Sequence, residues 1–180
     1  AASDVYKRQL WVPSKGQEAA QIGSGMAMRP TDYVFPSYRE HALAMHRGVD
    51  LAQLLTIFRG VSGHGWIPQE HRFHLYSFVL ASQIPHAVGY AMGQKLDGAR
   101  DEATVVYFGD GSSTEGEAHE SMVFAASYDA PVLFFVQNNR WAISVPFEVQ
   151  SRVPVSTRAA GYGFEGIRVD GNDVLAVLAA

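Results

Sequence analysis

The chain has 180 residues, 47% of them hydrophobic and 18% charged, with a formal net charge of -4; that is an ordinary globular balance, long enough to bury a sizeable core in what length alone suggests is one domain. The charge gives no general reason to expect nucleic-acid binding, and the absence of cysteine excludes disulfides, thiolate metal sites and a cysteine nucleophile. The sequence carries no recognisable signal peptide and no apolar run of bilayer-spanning length, so the expectation is a soluble cytoplasmic protein.

Taken in chain order, the first clear element is a helix that begins at Asp50, places Leu51, Leu54, Leu55 and Phe58 on one face and ends at Gly60. Residues 60–77 are rich in Gly, His and aromatics without a period, and read as an ordered loop near the functional site. Ile84, Ala87, Val88, Ala91 and Met92 follow helical spacing up to Gly98. Thr104-Val105-Val106-Tyr107-Phe108 and Val132-Leu133-Phe134-Phe135-Val136 are β-branched and aromatic runs that predict strands, with a helix from about Glu115 to Ser127 between them. Ile167-Arg168-Val169 predicts a further strand. Asn172 or Asp173 then caps a last helix, in which Val174 to Ala180 stops without a closing cap. There is no internal repeat and no low-complexity linker.

Each predicted strand is followed directly by a polar signature, Gly109-Asp110-Gly111 after the first and Asn138-Asn139 after the second. Parallel strands joined by a crossover helix bring their carboxyl ends to one sheet edge, where open α/β sheets bind ligands. A carboxylate and an amide oxygen are hard ligands that suit Mg²⁺, which usually completes its shell with water and phosphate oxygens. The flanking glycines let backbone amides approach an anion, and the helix that follows would turn its amino terminus toward it. The pattern therefore points to a metal-bound diphosphate. Gly-Asp-Gly by itself could equally be a tight turn; the pairing with Asn-Asn in strand–helix–strand context favours the site.

Gly-Asp-Gly, helix, strand, Asn-Asn resembles the thiamine-diphosphate motif. The stretches 109–120 and 136–146 resemble α subunits of 2-oxo acid dehydrogenase E1 components, as do 16–23, Tyr38-Arg39-Glu40, Ser82-Gln83-Ile84-Pro85 and 169–173. The likeness runs from about Gly16 to Ala180. It implies an α/β thiamine-diphosphate-binding fold, a mostly parallel sheet flanked by helices. Residues 11–180 are read as that domain, incomplete and truncated at the C-terminus because family α subunits are roughly twice as long. Residues 1–10 are read as a non-native or disordered leader.

The resemblance also implies roles. Asp110 and Asn139 would be side-chain ligands of Mg²⁺, and Trp141 would offer a backbone carbonyl where the family usually has Tyr. Tyr38 and Arg39 would contact the diphosphate, together with Gly109, Gly111 and Ser112; a guanidinium fork suits phosphate oxygens. From the residues alone, Arg39 would be read as a surface ion pair with Glu40 or Asp32. Leu80 would lie against the aminopyrimidine, although Phe78 and Val79 depart from the family's usual small or Pro-containing pair. Ser77, Ser82 and Gln83 would order that loop, around a monovalent cation or without one. Gln137 stands where some relatives place a phosphate-binding Arg and others Gln.

The implied cofactors are thiamine diphosphate and Mg²⁺, and the implied activity is oxidative decarboxylation of a 2-oxo acid with acyl transfer to a lipoyl group. The implied partners are an E1 β subunit in an α2β2 assembly and a lipoylated E2 acyltransferase. Branched-chain 2-oxo acids are slightly favoured over pyruvate. An acetoin dehydrogenase α subunit and a non-catalytic α-like chain are the alternatives. The family's active-site His falls past position 180 and its activating Glu belongs to the β subunit, so no catalytic residue is assigned here. His64, His71 and His74 have commonplace spacing and read as loop-ordering or substrate-contacting groups rather than a zinc site. His119 would pair locally with Glu115, four positions away. Glu115 would lie just behind Asp110, or simply place a negative charge in the helix's first turn.

Overall fold

The computed structural model describes residues 12–60 and 65–180. The expectations for residues 1–10 and for His64 lie outside the described residues.

The chain order is α1 (Glu18–Ala27), β1 (Tyr33–Phe35), α2 (His41–His46), α3 (Leu51–Phe58), α4 (Pro68–His71), α5 (Gln83–Leu96), β2 (Thr104–Gly109), α6 (Gly116–Tyr128), β3 (Val132–Gln137), a small hairpin of β4 (Trp141–Ala142) and β5 (Val145–Pro146), then α7 (Phe147–Gln150), α8 (Val155–Tyr162) and α9 (Val174–Ala179). A 3₁₀ turn, Ser112–Thr114, stands between β2 and α6. β1, β2 and β3 form a parallel sheet in that order, with Tyr33 opposite Thr104 and Gly109 opposite Gln137.

The sheet is covered on both faces, as a parallel sheet must be when helices make its crossovers. Alternate residues of β2 divide between two cores: Val106 and Phe108 join Tyr33, Phe35, Ile84, Ala87, Ala118 and Met122, whereas Val105 and Tyr107 join Val34, Leu43, Leu54, Trp66 and Phe73. Each large apolar side chain buried in this way contributes roughly 1.5–3 kcal/mol over exposure. That is why β2 reads as an unbroken apolar run with no alternation.

The helices predicted at Asp50 and before Gly98 form close to their expected bounds. Asp50 accepts from the Ala52 amide at 3.1 Å, and Gln53 Oε1 accepts from the Asp50 amide at 3.4 Å, a reciprocal cap. Asp173, rather than Asn172, caps α9, accepting from the Leu175 and Ala176 amides at 2.9 and 3.2 Å. α9 packs on α1 at Gly23, where a Cβ would come within 2.8 Å of Val177 Cβ.

Two expectations are corrected, and one strand was not expected. Ile167-Arg168-Val169 is not a strand: no ladder among the described residues pairs with it, and Ile167 is largely exposed. Propensity alone does not make a strand without a neighbouring strand to pair with. The sheet's additional strand is β1, whose three residues are too short a run to register as a period. The stretch 65–77 is not simply a loop beside the site. Phe73 bridges Val34 in parallel fashion, and Trp66 and Phe73 are core residues, Trp66 donating its indole N–H to the Phe73 carbonyl at 2.8 Å. Only its end reaches the site edge, where the Ser77 amide donates to the Ser37 carbonyl at 2.9 Å.

Candidate functional site

The three parallel strands deliver three loops to one edge of the sheet: residues 36–40 after β1, 109–111 at the end of β2, and 138–141 after β3. Because Gly109 pairs with Gln137, Asp110 and Asn138 are the next residues along two neighbouring strands. The sequence expectation of two motif ends side by side at the carboxyl edge therefore holds in the backbone.

Asp110 is 1% exposed. Its Oδ2 accepts from Gln150 Nε2 at 3.3 Å, and its carbonyl accepts from the Ser113 hydroxyl at 2.6 Å and the Ser113 amide at 3.2 Å. Burial pushes its carboxyl above the ordinary aspartate range, with bonds from its own amide, the Gln150 side chain and the Gly111 amide opposing that rise. A bound cation reverses the same cost. Gln150 Oε1 is buried without a partner beside this carboxylate. A carboxylate and an orphaned amide oxygen together are the donor chemistry of a hard divalent cation, so the residues present fit Mg²⁺.

Gly111 has a steric reason to be glycine: a Cβ there would lie 2.9 Å from Ala142 Cβ, because the β4–β5 hairpin folds against the turn. Gly109 has no such crowding, its nearest neighbour being the Gln137 carbonyl at 4.0 Å. Ser112 is buried and opens the 3₁₀ turn. That turn delays the helix, so Glu115 is the residue before α6 rather than its first turn, and its side chain makes no cap bond.

The other motif is open. Asn139 Oδ1 accepts from the Trp141 amide at 3.0 Å and Asn138 Oδ1 from the Arg140 amide at 2.8 Å, two successive Asx turns that hold Arg140 at positive φ, 68°. Asn138, Asn139 and Trp141 are exposed. Arg140 pairs with Glu148 across the hairpin.

Tyr38 stacks on Phe78, with ring centroids 5.9 Å apart and planes within 2°, which ties the 36–40 loop to the turn carrying Leu80. Ser77 and Ser82 hydroxyls bond to each other, and Ser82 Oγ donates to the Val79 carbonyl at 2.9 Å. Ala81 takes up positive φ, 64°, inside the turn. Gln83 Nε2 donates to the Tyr107 carbonyl at 2.8 Å, leaving its Oε1 buried without a partner. The expected ordering role of Ser77, Ser82 and Gln83 is visible in these bonds. Leu80 itself is 40% exposed.

Arg39 does not form the surface ion pair that its neighbours would suggest. Its guanidinium lies over Tyr38, 5.4 Å from the ring centroid, and donates to the Pro13 carbonyl at 2.6 Å. Asp32 instead accepts from the Arg29 and Ala103 amides at 2.7 and 2.9 Å, and Glu40 turns into the core. His119 also departs from expectation: its Nδ1 meets the Tyr162 hydroxyl, not Glu115. His71 donates to the Arg47 carbonyl at 3.2 Å, and His74 packs on Phe35 with centroids 4.7 Å apart. Burial pushes the His74 imidazole below the ordinary range.

Sequence reasoning missed Gln150 and Arg158 altogether, and missed the contacts that Gln21, Glu40 and Gln137 make although all three lie in or beside the stretches that carry the resemblance. Gln150 reaches Asp110 from 40 positions away, and Arg158 donates to the Ser113 carbonyl at 3.0 Å from α8. Gln21 and the buried Glu40 bond to Gln137 across the sheet edge. No local pattern marks Gln150 or Arg158, and none marks the long-range bonds among Gln21, Glu40 and Gln137.

With this geometry in place, the comparisons with known proteins are specific. Residues 3–180 match the family described as Dehydrogenase E1 component. The chain is similar to the 3-methyl-2-oxobutanoate dehydrogenase subunit alpha of Mycobacterium tuberculosis (strain CDC 1551 / Oshkosh), 44% identical over 94% of the chain and 46% of that protein. It is 38% identical to the pyruvate dehydrogenase E1 component subunit alpha of Bacillus cereus over 95% of the chain and 46% of that protein. It is 37% identical to the 2-oxoisovalerate dehydrogenase subunit alpha of Bacillus subtilis (strain 168), over 94% and 54%. The chain thus spans about half the length of the curated relatives it matches. A solved structure described as a thiamin diphosphate-dependent enzyme isolated from Mycobacterium smegmatis shares the fold, with a TM-score of 0.53 and 23% identity over 81% of this chain and 25% of that one.

Proposed function

The chain belongs to the Dehydrogenase E1 component family, and from that premise we propose that it is the diphosphate-binding half of a 2-oxo acid dehydrogenase E1 α subunit, working with thiamine diphosphate and Mg²⁺. The observation that carries this reading is the placement of buried Asp110 and the Asn138-Asn139 pair on adjoining ends of β2 and β3. When bound, thiamine diphosphate supplies the nucleophilic carbon and electron sink for decarboxylating a 2-oxo acid; the protein supplies position and electrostatics.

Each residue has a physical task in this reading. Asp110, Asn139 and the Trp141 carbonyl hold Mg²⁺, with Gln150 steadying the carboxylate. Arg39 and Tyr38 face the diphosphate from the β1 side, while Gly109, Gly111 and Ser112 bring backbone close to it. Leu80 lies toward the aminopyrimidine end, and the unpartnered Gln83 Oε1 with the Ser77–Ser82 pair suits a monovalent cation. Asn139 Oδ1, which accepts from the Trp141 amide, would offer its second lone pair to the metal.

The names of the relatives support a reading of the substrate. The 44% identity to a 3-methyl-2-oxobutanoate dehydrogenase subunit supports a branched-chain 2-oxo acid as substrate, against 38% to a pyruvate enzyme. An E1 β subunit in an α2β2 heterotetramer, acyl transfer to lipoylated E2 and a cytoplasmic location complete the proposal. The 180 residues alone should be catalytically inactive, because they offer only one side of a site that the partner would close.

The decisive experiment is a Mg²⁺-dependent thiamine diphosphate titration of the full-length protein with its β-type partner, followed by turnover of pyruvate and 3-methyl-2-oxobutanoate. Binding that requires Mg²⁺ and is lost in Asp110→Ala is the expected result. Metal-independent binding refutes the site, and a clear preference for pyruvate refutes the branched-chain assignment.

A further inference from the structure

Beneath the Arg39 loop runs a buried chain of side-chain hydrogen bonds whose direction is fixed at both ends by backbone. The Ala42 amide donates to Gln21 Oε1 at 3.1 Å. Gln21 Nε2 must then point the other way, and it donates to the Arg39 carbonyl at 3.0 Å and to Gln137 Oε1 at 3.3 Å. That orientation leaves Gln137 Nε2 facing Glu40, whose Oε1 accepts it at 2.5 Å. Glu40 Oε2 accepts from the Ser37 amide at 2.7 Å and the Arg39 amide at 3.3 Å. Gln21 and Glu40 are fully buried and Gln137 is 8% exposed.

The chain joins elements far apart in sequence. Gln137 ends β3 and directly precedes Asn138-Asn139; Glu40 directly follows Arg39; Gln21 lies on α1. We infer that Gln21, Glu40 and Gln137 act as a one-way hydrogen-bond clamp that positions the Arg39 loop against the strand end carrying Asn139, and so sets the spacing across the diphosphate cradle. The inference rests on the diphosphate reading of the site. These are positioning residues, since none of the three is among the groups placed on cofactor or metal.

The polarity of the clamp makes a test that plain destabilisation would not mimic. In Glu40→Gln the remaining oxygen is required by the Ser37 and Arg39 amides, so the new NH₂ meets Gln137 Nε2, donor against donor. Gln137 cannot turn over to accept, because Gln21 Nε2 already occupies its oxygen side. In Gln137→Glu two carboxylates face each other. In the double variant the new amide at position 40 donates to the new carboxylate at position 137. That carboxylate still accepts from Gln21, and the Ser37 hydroxyl, which donates to both Glu40 oxygens at 3.1 and 3.0 Å, keeps the bond to the remaining oxygen, so the Gln21–137–40 chain is satisfied with one direction reversed.

The complete protein with its β-type partner is titrated with Mg²⁺-thiamine diphosphate and, separately, with Mg²⁺ and inorganic diphosphate, alongside cofactor-free thermal unfolding. Each single variant is expected to weaken both ligands by about 10–100-fold, the range for residues that orient a site's direct contacts, and the double variant to recover most of that loss. Thermal destabilisation with unchanged affinity, or a double variant no better than its parents, overturns the clamp. Asp110→Ala is run in parallel. Unchanged affinity there overturns the diphosphate reading and the clamp with it, whereas lost affinity there beside a tight-binding Glu40→Gln overturns the clamp alone.

Discussion

The ends of β2 and β3 contrast sharply although they carry the two halves of one motif. Asp110 sits at 1% exposure, gripped by the 3₁₀ turn, Gln150 and the hairpin packed on Gly111, whereas Asn138 and Asn139 are exposed and held only by their own Asx turns. The buried carboxylate is preorganised and its desolvation is already suffered in the folded chain. The neutral amide of Asn139 is locally ordered but adaptable. An anchored carboxylate gives a cation its charge partner at a fixed place, while a neutral amide can adjust to complete the shell.

Breaking the anchored side should have the largest effect. On the proposed reading Asp110→Ala removes the metal's charge partner, and Mg²⁺-dependent cofactor affinity should fall by more than the roughly 10–100-fold typical of residues one step removed from a metal; calorimetric titration measures it. Gly111→Val comes next. Its Cβ would press on Ala142, so it should cost about 1–3 kcal/mol of stability through overpacking and displace the hairpin that carries Trp141; urea unfolding reads the first effect and cofactor titration the second. Asn139→Ala should weaken Mg²⁺-dependent binding clearly less than Asp110→Ala, because a neutral amide supplies no charge. Equal losses at the two positions would erase the contrast. Arg39→Lys should weaken binding less again, since it keeps the charge and loses only the two-pronged geometry.

The smallest effect is a pH slope. Burial raises the Glu40 carboxyl above the ordinary glutamate range, against the opposing bonds from Ser37, Arg39 and Gln137. Between the ordinary value and the raised one, the folded protein binds more protons than the unfolded chain. Stability therefore falls as pH rises through that window. Glu40→Gln should flatten this contribution, and urea unfolding of the cofactor-free protein across mildly acidic pH would detect it. The Arg39 side of the cradle thus carries a buried cost as the Asp110 side does, at a position no ligand touches.

The same comparison separates what was legible in the chain from what was not. β2 and β3 look alike as sequences, both short apolar runs followed by polar signatures, and both strands and the helix between them were legible within a residue or two. Yet β2 is central and buried from Thr104 to Phe108, whereas Leu133 of β3 is 55% exposed. A side chain's hydrophobicity states what it can bury, not which neighbours arrive to cover it. Ile167-Arg168-Val169 makes the same point from the other side, having a strand's composition and no ladder. β1 was illegible because three residues carry no measurable period, and its pairing with Thr104 to Val106 is wholly long-range.

By itself the sequence determined the strand–helix–strand unit, the two motif positions and the edge at which they meet, because a crossover helix leaves parallel strands only one common carboxyl edge. It determined Asp50 and the 172–173 pair as cap sites, since capping depends on bonds within a few residues. Only the tertiary structure decided that Gln150 reaches Asp110, that Arg39 turns to Pro13 instead of an acidic neighbour, that His119 meets Tyr162, and that Glu40, Gln21 and Gln137 close into one chain. Those contacts join residues that packing alone brings together. A hydrogen bond across 97 or 116 positions leaves no trace in spacing or composition, since it exists only after the apolar core has set the distances.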